Sequence, residues 1–200
     1  MLEAADLHCE RGGRTIFQKL SFSLLGGNLL LVSGANGSGK TSLLRILCGL
    51  LSPSAGEVRW NGTAIRSLKE EYAKQLVYLG HAPGVKDELS AAENLEIACH
   101  LAGLQVSGDE LRGALARFGL PEAKAVKQLS QGQRRRAALA RLALSAQVPL
   151  WLLDEPFAAL DGAAMALVEE LIQGHVARGG AVVYSSHQQA SLPETRVIQL

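Results

Sequence analysis

Gly34-Ala-Asn-Gly-Ser-Gly-Lys-Thr-Ser42 decides the reading of this chain. The run has the spacing G-x-x-x-x-G-K-T and follows the apolar segment Leu29-Leu-Leu-Val32. Glycines at 34, 37 and 39 let the backbone curl so that successive N–H groups point inward. Such a nest at a helix start favours a polyphosphate. Lys40 adds a point charge for the outer phosphates, and Thr41 a hydroxyl for Mg²⁺. A glycine-rich turn that merely joined strand to helix would need neither the full spacing nor the helical pattern Thr41–Cys48 behind it. The stretch implies a bound nucleoside triphosphate.

Two hundred residues suit one domain, or one domain carrying a subdomain. Twenty basic residues face nineteen acidic ones, so the total calls for neither nucleic acid nor an anionic membrane as partner. The one basic run, Arg134-Arg-Arg136, reads as a solvated helix face. Cys9, Cys48 and Cys99 are widely spaced and form no C-x-x-C, which argues against disulfides or zinc and for a reducing cytoplasm. No stretch approaches the roughly 18 apolar residues of a membrane helix, and Met1-Leu-Glu-Ala-Ala-Asp6 lacks the features of a signal peptide. Any membrane role is expected to be borrowed from a partner.

Along the chain, strands are expected at Leu2–Cys9, Ile16–Phe17, Ser21–Leu25 and Leu29–Ser33, with turns at Gly12-Gly13 and Gly26-Gly27. Glu57–Trp60 and Thr63–Ile65 form a hairpin about Asn61-Gly62, and Leu76–Gly80 is a further strand. Ser90-x-x-Glu93 is a capping box that opens a helix to about Ala102. Helices follow at Asp109–Phe118 and Arg134–Leu144. Val148–Leu153 and Ala181–Ser185 read as strands buried on both faces, Val197–Leu200 as a last strand. Ala163–Arg178 is an amphipathic helix with Ala164, Leu167, Val168, Leu171, Ile172 and Val176 on one stripe. The alternation points to an α/β core, about 1–81 and 146–200, with a helical subdomain inserted at about 82–145.

Two further motifs carry chemistry. Leu150-Trp-Leu-Leu-Asp154-Glu155 is an apolar strand ending in two acids, at the sheet edge where ligands of α/β folds gather. Asp154 is placed to hold Mg²⁺ beside Thr41, and Glu155 to take or orient a water facing the γ-phosphate. Leu129-Ser130-Gln131-Gly132-Gln133 precedes a helix, so Ser130, Gly132 and the helix start make a second anion site.

Together these motifs resemble the ATP-binding subunits of ABC transporters, in family order over about residues 2 to 198. Leu129–Gln133 is similar to the family's L-S-G-G-Q signature, with Gln131 in place of the first glycine; Asp154-Glu155, Ala159-Leu160-Asp161 and His187 match in turn. The resemblance implies a P-loop core with an antiparallel β subdomain and a helical insertion. It implies ATP and Mg²⁺ as ligands, held by Gly34, Ala35, Asn36, Gly37, Ser38, Gly39, Lys40, Thr41 and Ser42. It further implies that two copies close head to tail, so that Ser130, Gly132 and Gln133 of one cover the nucleotide of the other, with Asp161 crossing the interface. Glu155 would be the general base, and His187 would contact the γ-phosphate.

Two positions depart from the family. His81 stands where most members carry a glutamine that serves Mg²⁺ and signals to the membrane partner, and Arg11 where an aromatic residue usually stacks on adenine, with Phe17 the nearest aromatic. Arginine also stacks on bases, and a neutral imidazole also binds a metal-held water. Tyr78-Leu-Gly-His81-Ala-Pro-Gly84 and Pro156-Phe-Ala-Ala-Leu-Asp161 are similar to the branch serving bacterial cytochrome c maturation, the haem exporter. That implies a peripheral protein on the cytoplasmic face of the inner membrane, docked on small integral membrane subunits; the groove around His81–Glu88, between core and helical subdomain, is the expected docking surface. Another small ABC exporter, or a soluble ATPase of the same type, is the alternative.

Overall fold

A computed structural model describes residues 1–188, 190–192 and 195–200. The chain opens with β1 (Leu2–Arg11), β2 (Arg14–Leu24), β3 (Leu29–Ser33) and α1 (Lys40–Leu47). Then come β4 (Ala55–Trp60), β5 (Thr63–Ala64), the single-turn helices α2 (Ile65–Leu68) and α3 (Glu70–Ala73), and β6 (Leu76–Leu79). Four helices follow without a strand: α4 (Ala91–Leu101), α5 (Gly108–Arg117), α6 (Gln131–Leu139) and α7 (Arg141–Leu144). The chain closes with β7 (Leu150–Asp154), α8 (Gly162–Ala177), β8 (Ala181–Ser185) and β9 (Thr195–Gln199).

Two sheets organise these elements. One is antiparallel, in the order β2-β1-β4-β5; the other is parallel throughout, in the order β6-β7-β8-β3-β9. All five residues of β7 and of β8 are buried, and their alternation feeds two cores. Leu150 and Leu152 join the core built with α1 and the antiparallel sheet; Trp151 and Leu153 join the core built with α4–α8. Each such side chain contributes roughly 1.5–3 kcal/mol of burial. A strand that serves both cores holds its carboxyl end rigidly, and that end carries Asp154.

Local chemistry explains the helix starts. Ser90 with Glu93, Ser107 with Glu110 and Ser130 with Gln133 form three complete capping boxes, opening α4, α5 and α6. Only the first is anticipated above. Hydrogen bonding to Ser90 holds the Glu93 carboxyl below its ordinary pKa, and Ser107 does the same for Glu110.

Several expectations are revised. The two short strands expected within residues 16–25 are one strand, β2, paired along its length with β1 through register shifts that absorb its polar middle. Ile65, expected to end the hairpin strand, instead starts α2, and residues 66–73, unassigned above, complete α2 and α3, which meet at Lys69 with φ 46°. The helix expected from Arg134 starts at Gln131, because Ser130 and Gln133 cap it there, and it is interrupted at Ala140. On α8 the buried stripe takes in His175, while Leu167 and Val176 are only partly buried. Among the described residues no helix is long and apolar enough to cross a membrane.

Candidate functional site

The carboxyl ends of β3, β7 and β8 meet at one edge of the parallel sheet. The loop after β3 needs its glycines: at Gly34, with φ 152°, a Cβ would sit 2.7 Å from the Leu200 carbonyl oxygen. At Gly39, with φ 107°, a Cβ would collide with the Ile16 methyl. Gly39 is also the N-cap of α1 and supplies no side-chain cap, so the first N–H groups of that helix remain available to a ligand. Lys40 is 7% exposed; its Nζ donates to the Gly34 and Ala35 carbonyls at 2.9 and 3.0 Å. An ammonium carries three donors, so one is left over.

The opposite wall is the end of β7. Asp154 is 1% exposed and held by both oxygens: Thr41 Oγ1 donates to Oδ2 at 2.8 Å, and Ser185 Oγ donates to Oδ1 at 2.8 Å. Ser185 reaches it because the parallel register sets Asp154 opposite Ser185. Glu155 comes next, with φ 50°, a conformation that costs a residue with a Cβ about 1–2 kcal/mol. Its N–H donates to Ser185 Oγ at 2.9 Å, which fixes the turn that aims the carboxylate. The His187 N–H donates to Glu155 Oε2 at 3.3 Å, and His187 Nε2 lies 3.4 Å from Oε1. Glu155 Oε1 is buried and, among the described residues, accepts no hydrogen bond.

These groups line one cavity of about 670 Å³, walled by Arg11, Ile16, the 36–42 loop, His81, Asp154, Glu155, Ala158, His187 and Gln188. A single chain thus assembles a phosphate loop, an acid pinned to the loop's threonine, and a strained glutamate beside a histidine. A family model described as ABC transporter matches residues 17–158.

The chain belongs to the ABC transporter family. The cytochrome c biogenesis ATP-binding export protein CcmA of Nitrosomonas europaea is 48% identical over 202 residues, covering 100% of this chain and 94% of its own length. The CcmA protein of Dechloromonas aromatica is 50% identical over 202 residues, at 100% and 98% coverage. An ABC transporter ATP-binding protein of Pyrococcus furiosus superposes with TM-score 0.85 at 28% identity, over 100% of this chain and 96% of its own. An ATP-binding cassette solved as a dimer in a post-hydrolysis state with ADP and Pi shares the fold at 23% identity and TM-score 0.81, over 94% of this chain and 88% of its own. The chain is an ATP-binding, ATP-hydrolysing subunit of the ABC type.

The other residues expected in the ABC site fall in two groups. Arg11 and His81 lie on the cavity, both exposed. Phe17 does not: it is 8% exposed and packed near Gly39, which leaves Arg11 and Ile16 as the side walls beside the loop. Ser130, Gly132, Gln133 and Asp161 also stay off this cavity. Ser130 Oγ accepts from the Gln133 N–H at 3.2 Å, while Gln133 Oε1 accepts from the Ser130 N–H at 2.9 Å. Gly132 lies within the first turn of α6, where a Cβ would sit 3.1 Å from the Ala159 carbonyl oxygen. Asp161 is the N-cap of α8, accepting from the Ala164 N–H at 2.8 Å, with Arg136 3.9 Å from its other oxygen.

Two residues of the site lie outside the expectations. Ser185, the buried clamp on Asp154 and Glu155, ends a run of apolar strand residues, and only the strand register reveals its partners. Arg135 overturns the reading of 134–136 as a solvated face: it is 5% exposed. Its place at i, i+3, i+4 and i+7 with Ala138, Leu139 and Leu142, all buried, was the available signal. Arg134 does reach outward, to Asp87 at 3.0 Å.

The donor set suits Mg²⁺. Thr41 and Asp154 offer hard oxygens 2.8 Å apart on the phosphate cavity, and among the described residues no group of three or more His, Cys, Asp or Glu could cage a metal alone. An ion that keeps several waters and shares phosphate oxygens needs no more than one or two protein ligands.

Proposed function

We propose that this chain is the nucleotide-hydrolysing subunit of a bacterial cytochrome c maturation complex, the haem exporter, and that two copies close head to tail over two ATP molecules. The full-length similarity to CcmA proteins at 48–50% identity carries the reading. In it, the 34–42 loop cradles the phosphates, Lys40 neutralises the outer ones, and Thr41 and Asp154 would hold Mg²⁺, which would supply further neutralisation of phosphate charge. His81, on the same cavity, would serve that ion as well. Glu155 accepts a proton from the attacking water at Oε1, and His187 steadies the γ-phosphate. Arg11 stacks on the adenine. Ser130, Gly132 and Gln133 of the second copy cover the γ-phosphate, and Asp161 meets the facing chain. Their absence from the chain's own cavity supports the assignment in trans.

In this reading the protein sits peripherally on the cytoplasmic face of the inner membrane, bound to CcmB/CcmC-like integral subunits. A second cavity, of about 470 Å³ between β6 and α4 and flanked by His81, Pro83 and Leu50, is the docking groove. Leu50 is 69% exposed, an apolar residue with no cover of its own. Purification of the tagged chain from bacterial membranes tests the assignment. Co-purification of small haem-handling membrane proteins is expected; permease subunits of another transporter would overturn it.

A further inference from the structure

Arg135 is a buried cation with no carboxylate hydrogen-bonded to it among the described residues. Its guanidinium instead donates to four backbone carbonyls: Nη1 to Gly80 and His81 at 2.8 and 3.2 Å, and Nη2 to Asp154 and Glu155 at 2.9 and 2.8 Å. Nε is buried and lacks a partner. Burial lowers the arginine's pKa while Asp154 and Glu155 raise it. Taking an arginine out of water and leaving one donor unpaired is costly, so stability alone is a poor account of it.

The four carbonyls belong to two segments that both reach the phosphate cavity. One is the end of β6 with His81; the other is the end of β7 with Glu155. The planar fork spans the gap between them as a lysine's single ammonium cannot. Glu155 stands out because its backbone is left-handed, with φ 50°. Its N–H is held by Ser185, and its carbonyl by both Arg135 and the Ala158 N–H, at 2.8 and 3.1 Å. Without the arginine the turn's own Ala158 bond remains, but nothing ties that carbonyl to the 80–81 segment, and the aim of the carboxylate loosens. Arg135 itself rides on α6, whose N-terminus carries Ser130.

We propose that Arg135 is a positioning residue for ATP hydrolysis: it locks the carbonyls of 80–81 to those of 154–155 and so keeps Glu155 aimed at the attacking water. The proposal rests on the reading of Glu155 as general base. It requires no contact between Arg135 and nucleotide, since the arginine is absent from the phosphate cavity.

The test is a double-mutant cycle on the full chain, read as phosphate release at saturating ATP and as ATP affinity. Arg135→Met should lower turnover by about 10²-fold, the cost of misplacing a catalytic group by about 1 Å, with ATP affinity changed less than about 2-fold. Arg135→Lys should recover part of the loss, because an ammonium can serve one pair of carbonyls but not both. In the Glu155→Gln background Arg135→Met should have no further effect, because the group it positions is gone. Equal and additive losses in both backgrounds would overturn the proposal, as would a loss of ATP affinity matching the loss of turnover. Full turnover in Glu155→Gln alone would instead remove the general-base reading and leave the Arg135→Met result to stand on its own. Should Arg135→Met not fold, Arg135→Lys carries the same comparison.

Discussion

The chain has two helix starts that the proposed function assigns to phosphate, and they are finished differently. At α1 the N-cap is a glycine with no side-chain cap, and Lys40 folds back on the loop's own carbonyls. At α6 the N-cap is Ser130, closed by a reciprocal pair of bonds with Gln133. The first start leaves backbone donors unmet, so a polyphosphate completes it. The second is already satisfied at its cap, so it is stable in the single chain and offers a ligand only its serine hydroxyl proton, Gly132 and the helix dipole. An unfinished site binds; a finished one waits to be presented. This difference is what a half-site on each of two chains requires.

The comparison breaks most visibly at Glu155, the proposed general base. Glu155→Gln is expected to lower turnover by about 10²–10⁴-fold in a phosphate-release assay while ATP still binds at α1. Retained turnover would mean that another base serves.

Next in size is the core on the face of β7 turned away from α1. His175 stacks on Trp151 of β7, ring centroids 3.9 Å apart, and both rings are buried. Burial first, then nearby Arg178, lowers its pKa to about 4. The folded-state value lies below the ordinary 6.5, so the unfolded chain takes up the proton first as pH falls. The stability contribution is present above about pH 6.5 and is lost as pH drops towards 4. Urea unfolding should show a loss of roughly 3 kcal/mol across that window, flattened in His175→Phe, which keeps the stack. An unchanged acid limb in that variant would assign the loss elsewhere.

Lys40→Ala should weaken ATP binding by about 10–100-fold, the worth of charge-assisted bonds to the outer phosphates. Isothermal titration reads this directly, and unchanged affinity would reject the role. The smallest effect separates the two helix starts. Ser130→Ala should cost about 1 kcal/mol through the lost cap, and Ser130→Asp close to nothing, since aspartate caps as well as serine. Thermal melts of the two variants decide it.

Much of this was legible in the sequence, and the limits have physical causes. The 34–42 loop, Asp154, Glu155 and His187 could be read because contiguous motifs or strand-end positions fix their surroundings. The hairpin about Asn61-Gly62 is equally local, with φ of 49° and 83° at the turn. Ser185 and Arg135 were not assigned roles, because their partners lie 31 and 55 residues away at the farthest and are set by strand register and helix packing. Three adjacent arginines look alike in sequence. A helix rotates each by 100°, so one meets Asp87, one is buried and one approaches Asp161.

The central claim is that one chain carries a complete nucleotide-binding half and needs Ser130 of another copy to hydrolyse. Ser130→Asp tests it most directly, because it preserves the cap of α6 while placing a negative charge where the second chain's γ-phosphate would lie. ATP affinity of the dilute, monomeric variant should equal that of the unaltered chain, and phosphate release should be abolished at every protein concentration. Weakened ATP binding in the monomer, or hydrolysis at the unaltered rate, would contradict the claim.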